Sequence, residues 1–562
     1  MVTALRAAPG PGLPCPQNSG PVIRLTQETR HPMGLTRRIV LGTFGLAGAL
    51  VVGWSVLPPR QRLVTTQPLP ARRGQKALNG WVKIDDEDVT VVVPRTEIGQ
   101  GVHTALAMIL AEELDADYAS VRVEQAPVDA IYNNQAVAVD GLPFHPDDHG
   151  PLRRLAGWMT AKGMREAGLM VTGGSSSVKD LWLPLREAGA SARAMFVAAA
   201  AAQWNVPAAE IRVERGRLSH AGGRSAAFGE LVDAAAKQPL PGSVRLKEPS
   251  QFRIVGHEAR RLEALPKIEG KPRYGLDVQP PGLLYATVRM CPTLGGKVAS
   301  LSGAKAMALP GVKNVFAVDG RHGGTAGVAV IADTPWHALK AVEAVEVSWD
   351  TAVPAAALAS GAQAMQRLRE ALDAKRGRAW FSQGDADAAI AGAARTLQAD
   401  YEAPWLAHAA LEPINCTVQL KDGRATVWAG TQLPDLARRV AAQVLGLKDT
   451  DVDVRVPWLG GAFGRRLEVD YVAQAAAVAR EAPAGAPVQT FWSRPEDMQH
   501  DFYRPACTAR WRAGFDAEGR LVGLSALSAG QAVVPQVLAR LFGAPEVGFD
   551  KTTAEGAFDQ PY

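Results

Sequence analysis

The sequence predicts an α+β chain of several domains. Two observations carry this. Short alternating apolar runs of strand character are repeatedly followed by helical periodicity, and glycine-rich turns stand at three of those strand–helix junctions, at residues 99–101, 173–174 and 460–464. A chain of 562 residues with 47% hydrophobic and 21% charged residues suits a soluble body of roughly three or four domains.

The first 60 residues stand apart as a leader. They hold Arg6, Arg24, Arg30, Arg37, Arg38 and Arg60 against one acid, Glu28, while the rest of the chain carries equal numbers of basic and acidic residues. The +5 formal charge is thus a property of the leader. Arg37 and Arg38 abut an uncharged run over 39–57, long enough to approach a membrane span. Basic, then apolar, then polar is the order of an export signal. No A-x-A site closes the run, so cleavage beyond it and retention as an anchor both stand, as does a translation start at Met33.

Residues 66–240 form the first unit. Strands are expected at 81–84 and over VTVVV, with a helix over 102–114 and a further strand at 120–127. Residues 128–165, with Pro143, Pro146 and Pro151, read as loop. After the turn VTGGSSSVKD, an Ala-rich helix is expected over 185–204, a hairpin over 211–223 and a short helix over 226–237. A connector fills 238–261. Residues 262–350 read as a compact α/β domain and 351–377 as an Ala-rich linker. Residues 378–562 alternate strands and helices to the end, which suggests a domain still being built.

Several function classes are excluded. There is no aromatic RNA-binding strand, zinc finger or dense basic stripe, so nucleic acid is not the partner. The four cysteines, Cys15, Cys291, Cys416 and Cys507, form no CxxC and no four-thiolate cluster spacing. The ten histidines include no HExxH. His103 reads as a packing or capping residue, and Glu112 and Glu113 as solvated or structural. His408 and Glu412, four apart, also read as structural rather than as a metal pair.

The chemistry therefore rests on the turns. Glycine lets backbone turn tightly and approach a ligand closely, and a helix N-terminus offers N–H groups to an anion. Gln100 adds an amide that both donates and accepts. LGGAFGRR can form a nest of N–H groups walled by Phe463. Neither GxxxxGK[ST] nor GxGxxG is present. Three such turns suggest one large anionic ligand held by backbone.

RTEIGQGVHTALAMILAEEL, VTGGSSSVKD, AHAALEPINC, WAGTQLPD, LGGAFGRR and WSRPEDMQHDFYRP occur together behind an Arg-Arg leader. The set resembles the molybdenum-binding large subunits of the xanthine dehydrogenase/aldehyde oxidase superfamily, nearest to the beta chains of isoquinoline 1-oxidoreductases and to periplasmic aldehyde dehydrogenases. The resemblance covers about 36–562. It implies a molybdopterin architecture in which an α/β hammerhead domain, 262–350, stands between two cofactor-binding regions, the GQG unit coming first.

It further implies molybdopterin cytosine dinucleotide as cofactor. Gly99, Gln100 and Gly101 match the first cofactor turn, and Gly173, Gly174, Ser175, Ser176 and Ser177 the second. Gly460, Gly461, Ala462, Phe463 and Gly464 match the turn beneath the metal, Phe463 being the family aromatic. Arg504 matches an arginine that reaches the substrate. The implied activity is oxidation of an aldehyde or N-heterocycle with water-derived oxygen. Electrons would pass to a small [2Fe-2S] subunit, then to a cytochrome c or a quinone-linked acceptor. The leader resembles a twin-arginine signal and implies the periplasm.

The chain also departs from the pattern. Leu406 stands where xanthine-type enzymes carry glutamine before H-x3-E. Leu467 stands where a purine-anchoring glutamate is expected, with Glu468 one residue late, so purines fit poorly. The family's base glutamate belongs to a Gly-Glu segment expected beyond Tyr562. Two alternatives follow: a cofactor-binding piece that needs a separate C-terminal chain to supply that base, or an exported binding or assembly protein.

Overall fold

The computed structural model describes residues 62–142, 144, 148–353, 360–374, 377, 379 and 381–543. The leader, including Arg37 and Arg38, and the terminal AFDQPY lie outside these residues. Among the described residues no helix is long and apolar enough to cross a membrane.

The first unit opens with a four-stranded sheet in sequential order: β1 (Lys76–Asn79), β2 (Val82–Ile84), β3 (Val89–Val93) and β4 (Val121–Gln125). β3 and β4 run parallel, and helix α1 (Val102–Leu114) makes the crossover. Every residue of β3 is buried, as β-branched strands covered on both faces should be. Leu106, Leu110 and Leu114 recur every fourth residue along α1 and are fully buried, each contributing about 1.5–3 kcal/mol of apolar burial. Helix α2 (Ser177–Trp204) packs along α1. A small meander, β5 (Ile211–Glu214), β6 (Arg217–His220) and β7 (Ser225–Ala227), closes the unit.

Two segments differ from expectation here. Residues 128–165 contain helices Ala136–Asp140 and Pro151–Ala167. Pro151 opens a helix rather than breaking one, because the first helical position needs no N–H partner. α2 begins at Ser177, eight residues before the expected start, and carries Pro184 inside it.

The middle and last units share a sheet. In chain order come β8 (Leu284–Met290), β9 (Lys297–Ser302), β10 (Val312–Val318), β11 (Gly327–Ala332), β12 (Glu346–Asp350), β13 (Arg395–Ala403), β14 (Asn415–Lys421), β15 (Arg424–Ala429), β16 (Val452–Arg455), β17 (Pro487–Phe491), β18 (Cys507–Phe515) and β19 (Leu521–Gly530). A seven-stranded sheet runs β10-β11-β8-β17-β14-β15-β16, joined across the two units by the parallel pair β8/β17. β9 and β12 pair apart from it, as do β13, β18 and β19. The boundary expected near 350–378 therefore separates chain segments but not the sheet.

Helices α3 (Pro434–Leu445) and α4 (Asp470–Arg480) pack on the large sheet, burying Val440, Ala441, Val472, Ala476 and Val478 against Val418 and Val427. The expected linker 351–377 holds a helix, Gly361–Asp373, opened by a capping box between Ser360 and Gln363. Met365, Leu368 and Leu372 bury its apolar stripe beside Ala506 and Ala529. Alanine-rich composition masked that stripe.

Candidate functional site

Thr96, Thr172 and Thr431 draw the three glycine turns together. The Thr96 amide donates to Thr172 Oγ1 at 2.8 Å, and Thr96 Oγ1 donates to the Thr431 carbonyl at 3.0 Å. The Thr172 amide donates to the Gln432 carbonyl at 3.0 Å, while Gln432 Nε2 returns a bond to the Thr172 carbonyl at 2.7 Å. The Gln432 amide and Thr431 Oγ1 both donate to the Arg466 carbonyl, at 2.9 and 3.2 Å. All of these residues are buried. Three stretches far apart in sequence thus form one hydrogen-bonded hub beneath the turns.

The first turn is built around a residue that sequence reading passed over. Gly99 and Gly101 take φ of 107° and 83°, which side chains rarely adopt. The turn thereby points three amides at Glu97: those of Gly99 and Gly101 reach Oε1 at 2.9 Å each, and that of His103 reaches Oε2 at 3.1 Å. The N–H groups expected to serve an external anion at this turn are held by the chain's own buried carboxylate, which answers the α1 dipole. Gln100 is exposed. Its Oε1 accepts from the Ile98 amide at 2.7 Å and its Nε2 donates to the Thr96 carbonyl at 3.1 Å.

At the second turn Gly174 and Ser175 are exposed, with φ of 61° and 51°. Ser176 is fully buried, donates to the Gly173 carbonyl at 2.7 Å and accepts from Asn134 Nδ2 at 2.7 Å. It makes no side-chain cap bond to α2, so Ser177 opens a 28-residue helix with an uncapped N-terminus.

The third turn follows Trp458, whose ring meets His103 edge-on at 5.5 Å and so joins it to the first turn. Gly461 and Gly464 have φ of 106° and 103°. Between them Ala462 is buried, while Phe463 is left-handed at 54° and 70% exposed. Phe463 is thus an exposed aromatic on backbone that L side chains disfavour, and not a core residue. Beneath the turn the Gly460 amide donates to Glu412 Oε2 at 2.9 Å, and fully buried Arg466 reaches the carbonyls of Gly461, Gly430 and Glu412.

A charged row runs behind it. His408 Nδ1 and amide both bond Asp501, Arg465 Nε lies 3.0 Å from Asp501, and Arg465 pairs in a fork with Asp470 at 2.9 Å on both arms. Burial opposes ionisation of Asp501, but His408 and Arg465 outweigh it and hold the carboxyl below its usual range. His408 and Glu412 are not on a helix: Ala409 between them has φ of 44°. Each has its own structural partner, as expected. Glu112 and Glu113 are structural too, the former accepting the amides of Arg253, Ile254 and Val255. Among the described residues no group of three His, Cys, Asp or Glu could hold a metal ion.

Arg504 is exposed. It bridges Leu406 in antiparallel fashion and donates from its guanidinium to the Pro404 carbonyl at 3.2 Å. The arginine matched to the substrate pocket and the leucine that departs from the family pattern are therefore neighbours. Glu468, one residue late against the purine pattern, is buried and paired with Arg540, whose guanidinium sits 4.4 Å over Phe502.

The hub residues Thr172, Thr431 and Gln432, with Glu97, Glu412 and Arg466, were missed as site residues. The available signal was a Thr-Gln pair just before a Pro-opened helix, in a stretch otherwise apolar enough to bury it.

Two family models, each described as a molybdopterin cofactor-binding domain, match residues 46–139 and 372–532 and so take in the first and third turns. The chain is 30% identical to the beta chain of the isoquinoline 1-oxidoreductase of Brevundimonas diminuta, over 83% of this chain and 61% of that one. It is 31% identical to the membrane-bound aldehyde dehydrogenase (pyrroloquinoline-quinone) of Gluconacetobacter polyoxogenes, over 79% and 54%. It is 26% identical to a chain of the nicotinate dehydrogenase of Pseudomonas putida, over 79% and 34%. The chain spans between about a third and three fifths of the length of these relatives. With two cofactor-binding domains flanking a central segment and their turns locked on one hub, the chain belongs to the molybdenum hydroxylase large-subunit family, the xanthine dehydrogenase/aldehyde oxidase superfamily.

Proposed function

We propose that the chain holds a molybdopterin, in its cytosine dinucleotide form, within an oxidoreductase that acts on an aldehyde or an N-heterocyclic aromatic. The carrying observation is Gln432. Its Nε2 is committed to the Thr172 carbonyl, which fixes the amide's orientation, and its Oε1 is buried with no partner in the protein. A buried lone acceptor costs about 1–3 kcal/mol, and a ligand N–H or O–H would repay it. A pterin, rich in N–H donors, fits this demand at the centre of the three turns.

When bound, the group would supply a metal centre for two-electron oxidation with water-derived oxygen. The protein's part is positioning. Gln432 would orient the ligand through Oε1. The uncapped start of α2 at Ser177, beside exposed Gly174 and Ser175, would receive its anionic portion. Phe463 would wall the substrate side. Arg504 would hold negative charge on a substrate. The relatives' names, an isoquinoline and a nicotinate enzyme beside an aldehyde dehydrogenase, support the two substrate classes. Electron transfer to a small [2Fe-2S] subunit, and from it to a cytochrome c or quinone-linked acceptor, completes the reading.

The test is mass spectrometry of the ligand released by heat from the assembled enzyme, with molybdenum analysis. Molybdopterin cytosine dinucleotide is expected; a flavin or nicotinamide in its place overturns the assignment. Dye reduction with an aromatic aldehyde and with isoquinoline then separates the substrate classes.

A further inference from the structure

We propose that Glu97 is the positioning residue of the first glycine turn, and that Arg261 clamps it from outside so that Gln100 is presented in a fixed orientation. The proposal rests on the cofactor reading for what Gln100 is presented to, but its geometry stands without it. Gly99, Gly101 and His103 converge three amides on one buried carboxylate that is 3% exposed. Without Glu97 those donors would face one another with solvent as their remaining acceptor. Gln100 closes its amide on Ile98 and Thr96, the two neighbours that flank Glu97, so its direction follows from where Glu97 sits.

Arg261 completes the device. Its Nη2 donates to the Gly99 carbonyl at 2.9 Å and lies 3.5 Å from Glu97 Oε1, while its Nε donates to Glu263 Oε1 at 2.6 Å. Glu263 Oε2 in turn accepts from Thr104 Oγ1 at 3.0 Å, and the Leu262 amide donates to the same hydroxyl at 2.9 Å. Residues 261–263 thus grip the first turn of α1 from the solvent side. A Cβ at Gly101 would stand 3.3 Å from the Arg261 guanidinium, so glycine there serves the clamp as well as the turn. The connector reaches this place because Glu112, farther along α1, ties down Arg253, Ile254 and Val255.

A consequence separates the two helix starts. A ligand anion cannot take the α1 N-terminus without displacing a buried carboxylate, so the first turn would contact the ligand through Gln100, not through its amides.

The experiment compares wild type, Glu97→Gln and Arg261→Met in the assembled enzyme. It reads amide hydrogen exchange over 99–103, thermal midpoint, and molybdenum and pterin content. Glu97→Gln keeps the shape and the two bonds at Oε1 but turns a donor toward the His103 amide. Arg261→Met, at a half-exposed side chain, leaves the fold intact. Both should speed exchange over 99–103 about tenfold while β3 stays protected. Both should also lower cofactor content several-fold, with the Arg261→Met midpoint lowered only slightly because Lys267 still lies 4.0 Å from Glu263. Unchanged exchange in both variants overturns the positioning role. Faster exchange with full cofactor content overturns the link to Gln100. A wild type that holds no molybdopterin overturns the cofactor reading alone, because the exchange result still decides the role of Glu97.

Discussion

Arg466 grips Glu412 twice, reaching its carbonyl at 3.0 Å and its carboxylate at 3.2 Å with the same terminal nitrogen. The guanidinium is wholly buried and also holds the carbonyls of Gly461 and Gly430. Glu412 meanwhile takes the Gly460 amide. One ion pair therefore shapes the whole third turn.

Removing one partner of such a pair leaves a buried charge without compensation, at about 3–5 kcal/mol. Arg466→Met is expected to lower stability by that amount in chemical denaturation. Arg466→Lys should recover little of it, since an ammonium cannot span acceptors on three sides. Full stability in either variant would show that the turn is held from elsewhere.

Gln432→Met keeps length and apolar volume but removes both the bond to Thr172 and the lone Oε1. The lost bond to Thr172 and the removed lone acceptor oppose each other, so stability should fall by no more than about 1 kcal/mol. Molybdenum content of the assembled enzyme should fall far more than that loss accounts for. Equal losses on both measures would make Gln432 a hub residue and nothing else.

The contrast between TEIGQGVHT and Gln432 shows what local sequence reveals. The turn at 99–101 and the helix after it were legible because glycine spacing and the Leu106–Leu110–Leu114 stripe are local signals. That the turn's amides serve Glu97 was not legible, since nothing in the sequence tells whether a carboxylate two residues off folds back or points away. The large sheet was beyond reach for a different reason. β8 and β17 lie far apart in the chain, and a register at that distance is set by packing, not by neighbours. The helix Gly361–Asp373 was missed because alanine satisfies linker and helix alike.

His103 offers a pH test. Burial pushes its imidazole below the ordinary value, with Glu97 and the Arg95 carbonyl opposing. Above about pH 6.5 it is neutral both folded and unfolded. As pH falls below that value the unfolded chain takes up a proton that the folded one resists, so stability is lost by up to about 1.4 kcal/mol per pH unit. The stability advantage of wild type over His103→Gln should therefore shrink as pH falls below about 6.5. A constant difference across that window would show that His103 is protonated in place.

We propose that the body is exported through Arg37 and Arg38, which lie outside the described residues, ahead of the apolar run 39–57. Replacing both by lysine keeps the charge and is expected to trap the folded body in the cytoplasm. Fractionation with the body still reaching the periplasm would reject the twin-arginine route.

Phe463 combines two local costs. Its ring is 70% exposed, and its φ of 54° lies where an L side chain is disfavoured by roughly 1–2 kcal/mol. Phe463→Gly should relieve that strain and expose no new core, so the thermal midpoint should hold or rise. Phe463→Ala keeps the strained backbone and removes only the ring. If the ring walls the substrate side, both variants should raise the apparent KM for an aromatic aldehyde several-fold, and for a small aliphatic aldehyde much less. That difference in aromatic preference is the deciding readout. A lowered midpoint in both variants, with the substrate ratio unchanged, would return Phe463 to a structural role and move the substrate wall away from the third turn.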